Sequence, residues 1–404
     1  MVGAITSMMR GFLGEGPSPT TIAIYIIIIA AIIWVLAILF AYFGGDDKLI
    51  SLVRAKKITT DDIHRLHNIV DELKIAYGLE TMPSIYIVDD QAMNAFAIGC
   101  RPNKAAIVVT SGLLANLNRD ELQGVIAHEI AHINNRDVLL MILCVSLFDA
   151  ITLMAWFILY NLSLKDFVLG KGRWLLAFIS FLAIVLALIT IYVEAPSLSW
   201  EGLLLIIVFV ICGLMPWLPF WAQRITNAVS TRREYLADAC SALYTRYPEG
   251  LASALQKIAA STEQLKAANM TTATLYIINP FREKGMAASN VTETHPPISE
   301  RIGILRSMAR ISYIDYDLAY REIRGTNISV LPDYAIAAAD SAPIRSPQPD
   351  DMDDIQRARE TSNVLWNLNS YKLITCDCGT KMRLPPSFKL SEVRCPHCGK
   401  VLAV

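Results

Sequence analysis

Between Thr21 and Phe43 there is no charged residue, and that run removes most soluble folds from consideration. About 20 apolar residues suffice for a helix to cross the hydrocarbon layer of a bilayer. Three more apolar runs follow: Val138 to Leu162, interrupted by Asp149, then Trp174 to Val193 and Leu203 to Trp221. Together they raise the hydrophobic share of the 404 residues to 54% and hold the charged share to 18%, too apolar for an ordinary soluble chain. The later three could be core helices of a large soluble domain, but such long runs are rare there. The expectation is a mostly α membrane protein seated in a lipid bilayer. Residues 1–20 carry one Arg, and no small-residue cleavage site follows the first run. That run is also too long for a secretory leader, so Thr21 to Phe43 reads as a retained anchor. A net charge of −1 points to no nucleic-acid partner.

His128-Glu129-Ile130-Ala131-His132 reads H-E-x-x-H. Asn118 and Glu121 make a capping-box pair, and Leu122, Val125, Ile126 and Ile130 recur at helical spacing, which predicts a helix from about Arg119 to Asp137. Residues four apart share a helical face, so both imidazoles can meet one metal ion, with Glu129 placed to take a proton from a water activated there. Neutral imidazoles suit zinc, and the combination is the chemistry of metal-assisted peptide hydrolysis. The plainer alternative is two partly exposed histidines on an amphipathic helix. Catalytic zinc generally has three protein ligands and one open position. Six residues after His132 stands Val138, so no third His follows at that spacing. A Glu from a later helix is the other solution. Glu234, in Arg233-Glu234-Tyr235-Leu236-Ala237-Asp238, is the best candidate, and Asp238 one turn on could fix the far nitrogen of a ligand His. Taken alone, that stretch reads more simply as a helix with solvated carboxylates.

Further pieces stand in a fixed order around these. They are Asn94-Ala95-Phe96-Ala97-Ile98-Gly99, Thr110-Ser111-Gly112-Leu113-Leu114, Asp120-Glu121-Leu122, Asn134-Asn135-Arg136-Asp137, and Thr294-His295-Pro296-Pro297 with Arg301-Ile302. Over roughly residues 20–310 the chain resembles the HtpX-type membrane zinc metalloproteases, relatives of the CAAX prenyl proteases. The resemblance implies a small mixed α/β gluzincin catalytic domain. It makes His128, His132 and Glu234 the zinc ligands, Glu129 the base and Asp238 the support of a ligand His. It also implies membrane proteins, or misfolded ones, as substrates. An extended peptide would add along the edge offered by Asn94 to Gly99, with Asn94, Phe96 and Gly99 in contact. His295, stiffened by two following prolines, reads as a donor to the oxyanion, or else as a residue that caps or packs against the next helix.

Glu234 must reach His128 on one side of the bilayer, so an even number of crossings separates them, yet three apolar runs lie between. Lys and Arg favour the cytoplasmic side. Glu194 to Glu201 has two Glu and no basic residue and reads as outside; Lys165, Lys171 and Arg173, and Arg224, Arg232 and Arg233, read as inside. Trp174 to Val193 and Leu203 to Trp221 then form the hairpin, and Val138 to Leu162 does not span. The catalytic domain faces the cytoplasm, in agreement with basic Lys48, Arg54, Lys56 and Lys57.

Cys376-Asp377-Cys378-Gly379 and Cys395-Pro396-His397-Cys398-Gly399 read as two thiolate knuckles around one structural zinc, a small β module similar to a zinc ribbon, with His397 on its surface. Free thiolate ligands imply a reducing compartment, and scattered Cys100, Cys144, Cys212 and Cys240 suggest no disulfide framework. The expected organisation is an amino-terminal segment (1–20), an anchor (21–43), a first catalytic part (44–137), a membrane-embedded insertion (138–221), a second catalytic part (222–325), a partly disordered linker (326–370) and the zinc ribbon (371–404). Pro, Asp, Ser and Ala without apolar period over Ala335 to Thr361 mark the linker. The expected function is an integral-membrane zinc endopeptidase cleaving membrane or misfolded proteins on the cytoplasmic side. The rivals are an inactive zinc-stabilised scaffold that recruits partners through the ribbon, and a transporter suggested only by Asp149. The sequence sets no oligomeric state.

Overall fold

The computed structural model describes residues 19–59, 62–141, 143, 218–266, 276–278, 295–337, 341–350 and 352–404. Chain contacts divide the protein into two units, Met1–Gly45 with Met141–Thr226 and Asp46–Leu140 with Asn227–Val404. The expected hairpin, the Glu194 to Glu201 loop and nearly all of Val138 to Leu162 lie outside the described residues. The first apolar run is helical, within α1 (Pro19–Leu52, 34 residues). Ile28, Ile32, Leu36, Leu39, Phe40 and Phe43 stand exposed on it, more contiguous apolar surface than a soluble helix leaves uncovered. Counted over the described side chains alone, which omit several on α1, no helix is long and apolar enough to cross a membrane.

The second unit opens with β1 (Lys56–Lys57), α2 (His64–Tyr77), β2 (Ser84–Val88), β3 (Ala95–Ile98) and β4 (Ala106–Thr110), then α3 (Ser111–Asn116) and α4 (Arg119–Asn134). The sheet order is β1-β2-β4-β3, with β2 parallel to β4 (Ser84 opposite Ala106) and β3 antiparallel to it (Ala95 opposite Val109). All five residues of β4 are buried, as befits an inner strand covered on both faces. That leaves β3 as the outer strand beside β4, with β1 at the opposite edge. Leu66, Ile69, Val70 and Leu73, at helical spacing on α2, are buried in the same core as Ile85, Ile107 and Val109 of the sheet. At the end of β3, Gly99 sits at φ +124° with its α-carbon so close to Ala105 that a β-carbon would lie 2.6 Å from the Ala105 Cα. Only glycine fits, so Gly99 shapes the turn into β4.

The capping box at the start of α4 is present: the Asn118 side chain accepts from the Glu121 N–H at 2.9 Å, and Glu121 accepts from the Asn118 N–H at 2.8 Å. The α-helix stops at Asn134, three residues before the expected end, because Arg136 takes a left-handed φ of 56°. This helix is buried nearly all round, including the polar Glu129 and His128. It is threaded between α2 and a later helix pair formed by α5 (Leu218–Thr245) and α6 (Pro248–Ala260), with α7 (Ile298–Ser307) and α8 (Tyr313–Arg324) beyond. Gly124 permits the tight approach of α6: a β-carbon there would lie 2.6 Å from the Leu251 amide nitrogen. Replacing Gly124 with Ala should therefore destabilise the unit by about 1–3 kcal/mol through overpacking, seen as a lower thermal midpoint. An unchanged midpoint would mean the two helices can part without cost.

The stretch 326–370, expected to be a partly disordered linker, is instead built onto the catalytic unit wherever it is described. It contains α9 (Asp333–Ala337) and α10 (Asp354–Leu368). Arg345 donates to Asp120 Oδ1 (2.6 Å), Gln123 Oε1 (2.9 Å) and Thr245 O (2.9 Å), strapping the start of α4. On α10, Val364 is buried in the main core and Arg65 pairs with Glu360. The composition hid this because the strap is held by side-chain hydrogen bonds rather than by an apolar period. After α10 come two antiparallel hairpins, β5 (Lys372–Thr375) with β6 (Lys381–Leu384) and β7 (Glu392–Arg394) with β8 (Val401–Ala403).

Candidate active site

Two helices of the second unit bring the chemistry together. One turn of α4 places the two histidine rings edge to face with centroids 4.7 Å apart, and their Nε2 atoms are 3.1 Å from each other. Glu234 arrives from α5, its Oε2 3.5 Å from His128 Nε2 and its Oε1 3.5 Å from His132 Nε2. The three donor groups lie within 4.8 Å of one another.

Each imidazole is held from behind. His128 Nδ1 is 2.9 Å from Asp238 Oδ1, and His132 Nδ1 is 2.8 Å from Asp137 Oδ2. Carboxylates there keep the proton on Nδ1, so both Nε2 lone pairs face the centre. Two Nε2 atoms 3.1 Å apart with a carboxylate beside them need a positive charge between them, a proton on one ring when the metal is absent or the ion itself when it is bound. The donor set, two imidazoles and one carboxylate, suits zinc with a position left open for water. The residues present therefore fit the ion.

The electrostatics follow from burial and pairing. Burial alone would lower the pKa of His128, but Asp238 and Glu234 outweigh it and hold the metal-free imidazole up at about 9. Burial lowers that of His132, with the neighbouring His128 adding to the effect. Burial would raise Glu234, yet His128, His295 and Arg301 keep it ionised, well below the usual carboxylate range. Glu129 differs. It is fully buried, its pKa is pushed up by that burial, and neither carboxylate oxygen has a hydrogen-bond partner among the described residues. A buried carboxylate left unsatisfied is costly and calls for a cause, of which a catalytic role is one.

Two residues behind the site have roles the motif reading did not give them. Asp137 ends the stretch Asn134-Asn135-Arg136-Asp137; the left-handed Arg136 turns the chain so that Asp137 returns under His132, where Arg233 also pairs with it. Arg301 is wholly buried. Its fork donates to Asp238 (Nε to Oδ2 2.8 Å, Nη2 to Oδ1 2.7 Å), its Nη1 donates to the Ile277 carbonyl at 3.0 Å and lies 3.4 Å from Glu234 Oε2. A basic residue six positions after His295 was the visible signal, but nothing in the sequence linked it to Asp238.

The expected substrate edge is only partly free. Tyr276 bridges Phe96 in antiparallel sense, the Ile277 N–H donates to the Ala95 carbonyl at 3.0 Å, and the Asn94 side-chain amide donates to the Ile278 carbonyl at 2.9 Å. Asn94 and Phe96 thus hold the chain's own segment. His295 is buried, with Nε2 2.8 Å from the Tyr276 carbonyl, and burial lowers its pKa.

Comparison with known proteins identifies the family. The profile described as Peptidase family M48 matches residues 61–309. A protease HtpX homolog of Dictyoglomus turgidum is 40% identical over 282 residues, 70% of this chain and 82% of its own length. Another, of Thermoanaerobacter pseudethanolicus, is 37% identical over 282 residues, 70% of this chain and 84% of its own. Among solved structures, S. mikatae Ste24p matches with a TM-score of 0.40 and 18% identity, over 76% of this chain and 63% of that one; so loose a likeness carries no argument. The two-His, one-Glu centre and the family match lead to one conclusion: the chain belongs to peptidase family M48 and is a zinc metalloprotease of the HtpX type.

Proposed function

We propose that the protein is an integral-membrane endopeptidase that cleaves peptide bonds of membrane or misfolded proteins on the cytoplasmic side. His128, His132 and Glu234 would hold the catalytic zinc, with Asp238 and Asp137 fixing the two rings. The ion, when bound, polarises the scissile carbonyl and acidifies a water. Glu129 takes the proton of the attacking water and returns it to the leaving amine. The observation that carries this reading is the Glu129 carboxylate, buried beside three converging donors and without a hydrogen-bond partner among the described residues. A scaffold needs no such base, which argues against the inactive alternative. The exposed apolar side chains of α1 and the basic residues after it support a membrane anchor with the catalytic domain inside. Cleavage of casein by the purified, zinc-loaded protein, abolished by chelator and restored by zinc, tests the activity.

An extended peptide is assigned to the remaining outer edge of β3, from Ala97 on, with the self-paired segment Tyr276–Ile278 as its neighbour along the strand. In the same proposal His295 donates to the oxyanion. With Nε2 engaged by Tyr276, the ring does so only when it carries two protons or releases that carbonyl. His295→Ala is expected to lower turnover about a hundred-fold with zinc content unchanged. A variant that melts lower yet turns over normally per folded molecule would reduce His295 to a clamp on Tyr276.

A further inference from the structure

The four carboxy-terminal cysteines take no part in the active site, and their arrangement calls for a ligand of its own. Each pair forms the tip of one hairpin: Cys376 and Cys378 lie between β5 and β6, Cys395 and Cys398 between β7 and β8. The two tips are built alike. Gly379 and Gly399 follow the second cysteine of each pair in left-handed backbone, at φ 83° and 76°. The Cys376 N–H donates to the Thr380 carbonyl at 2.9 Å, and the Cys395 N–H to the Lys400 carbonyl at 2.8 Å. Backbone N–H groups of Cys378, of Thr380, and of His397 and Cys398 are aimed at the sulfurs of Cys376, Cys378 and Cys395 in turn. Donors aimed at sulfur stabilise thiolates, not disulfides.

The sulfur distances decide between the possible bonds. Cys376 Sγ is 3.5 Å from Cys398 Sγ, and Cys378 Sγ is 3.6 Å from Cys395 Sγ. All four lie within 4.8 Å of one another. A disulfide requires about 2.05 Å. Four thiolates at about 2.3 Å around a tetrahedral ion stand about 3.8 Å apart, close to what is found. The hairpins need such a tie. They form two separate two-stranded sheets, and among the described residues the polar side-chain contact that joins them, besides sulfur, is the exposed Lys400–Asp377 pair, a kind worth little.

The two hairpins are not equally secured. The first is fastened to α10: Arg383 lies over the Trp366 ring at 5.3 Å and donates to Asn363, and the Tyr371 N–H donates to the Trp366 carbonyl at 3.0 Å. Lys56 holds the end of α10, donating to the Leu368 carbonyl at 3.1 Å and to Asn369 Oδ1 at 2.6 Å.

We propose that Cys376, Cys378, Cys395 and Cys398 bind one Zn2+ as a closed structural site, and that this ion is what holds the second hairpin, residues 389–404, on the protein. With four protein ligands it has no open position and takes no part in hydrolysis. The test uses the full-length protein in detergent. The parent should hold two zinc ions per chain, Cys395→Ser/Cys398→Ser one, and His128→Ala one, so failure of either site is seen separately. The cysteine variant should keep casein turnover within twofold. Trypsin should cut it at Lys389 or Arg394, which resist in the zinc-loaded parent, while the rest stays intact. Replacement of zinc by Co2+ in the parent should add the intense near-ultraviolet bands of thiolate ligation. A cysteine variant with two zinc ions, a parent whose cobalt form lacks those bands, iron in place of zinc in the purified chain, or equal trypsin resistance with and without the ion would each overturn the proposal.

Discussion

Glu129→Gln is expected to lower peptide turnover by about a hundred-fold or more, the usual loss for a general base, while the protein keeps its catalytic zinc. The amide fills the same space and leaves His128, His132 and Glu234 in place, so metal content should match the parent. Stability should not fall, and a small rise is expected. The parent buries a carboxylate that no described residue satisfies, and burying an unpaired polar or charged group is unfavourable. A stable, zinc-loaded and inactive variant separates a base from a structural carboxylate. Parent-like cleavage of casein by this variant would remove Glu129 from the chemistry and the endopeptidase mechanism with it.

Arg301→Met should have the largest effect on folding. The guanidinium neutralises Asp238 through two hydrogen bonds and faces Glu234, all three groups being buried. Removing one partner of a buried charge cluster strands the others, at a cost of about 3–5 kcal/mol. The thermal midpoint should fall on the order of ten degrees, and zinc affinity should weaken because Asp238 no longer has a fixed place behind His128. Arg301→Lys keeps the charge but not the fork, and should fall between. Adding Asp238→Asn to Arg301→Met should recover part of the lost stability, since it removes one of the stranded charges. A methionine variant that melts with the parent would show that Asp238 and Glu234 are compensated elsewhere.

Much of the catalytic unit was legible because its signals are local. The capping box at Asn118 and Glu121, the period through Leu122, Val125, Ile126 and Ile130, and the four-residue step from His128 to His132 all express one helix, whose geometry repeats every turn. The same holds for Glu234 and Asp238 on α5. The end of α4 was misplaced because Arg136 takes a backbone conformation its residue type does not announce. The linker was misread for a related reason. Arg345, Arg357 and Gln348 look like solvated residues until Asp120, Asp350 and Asp354 are placed opposite them.

By itself the sequence determined the His128–His132 pair, the two cysteine pairs and the apolar runs, because each depends on neighbours within one turn, one hairpin tip or one continuous stretch. Only the tertiary structure decided what stands behind those groups. Arg301 meets Asp238 across 63 positions of chain, Tyr276 takes part of the β3 edge from Phe96, and Asn94 spends its amide on Ile278. Such pairings depend on how helices and strands pack, and no periodicity encodes a partner that far away. The donor types could therefore be read from the chain, whereas the meeting of Glu234 with the two histidines, the charges behind them and the strand that borders them came from the fold.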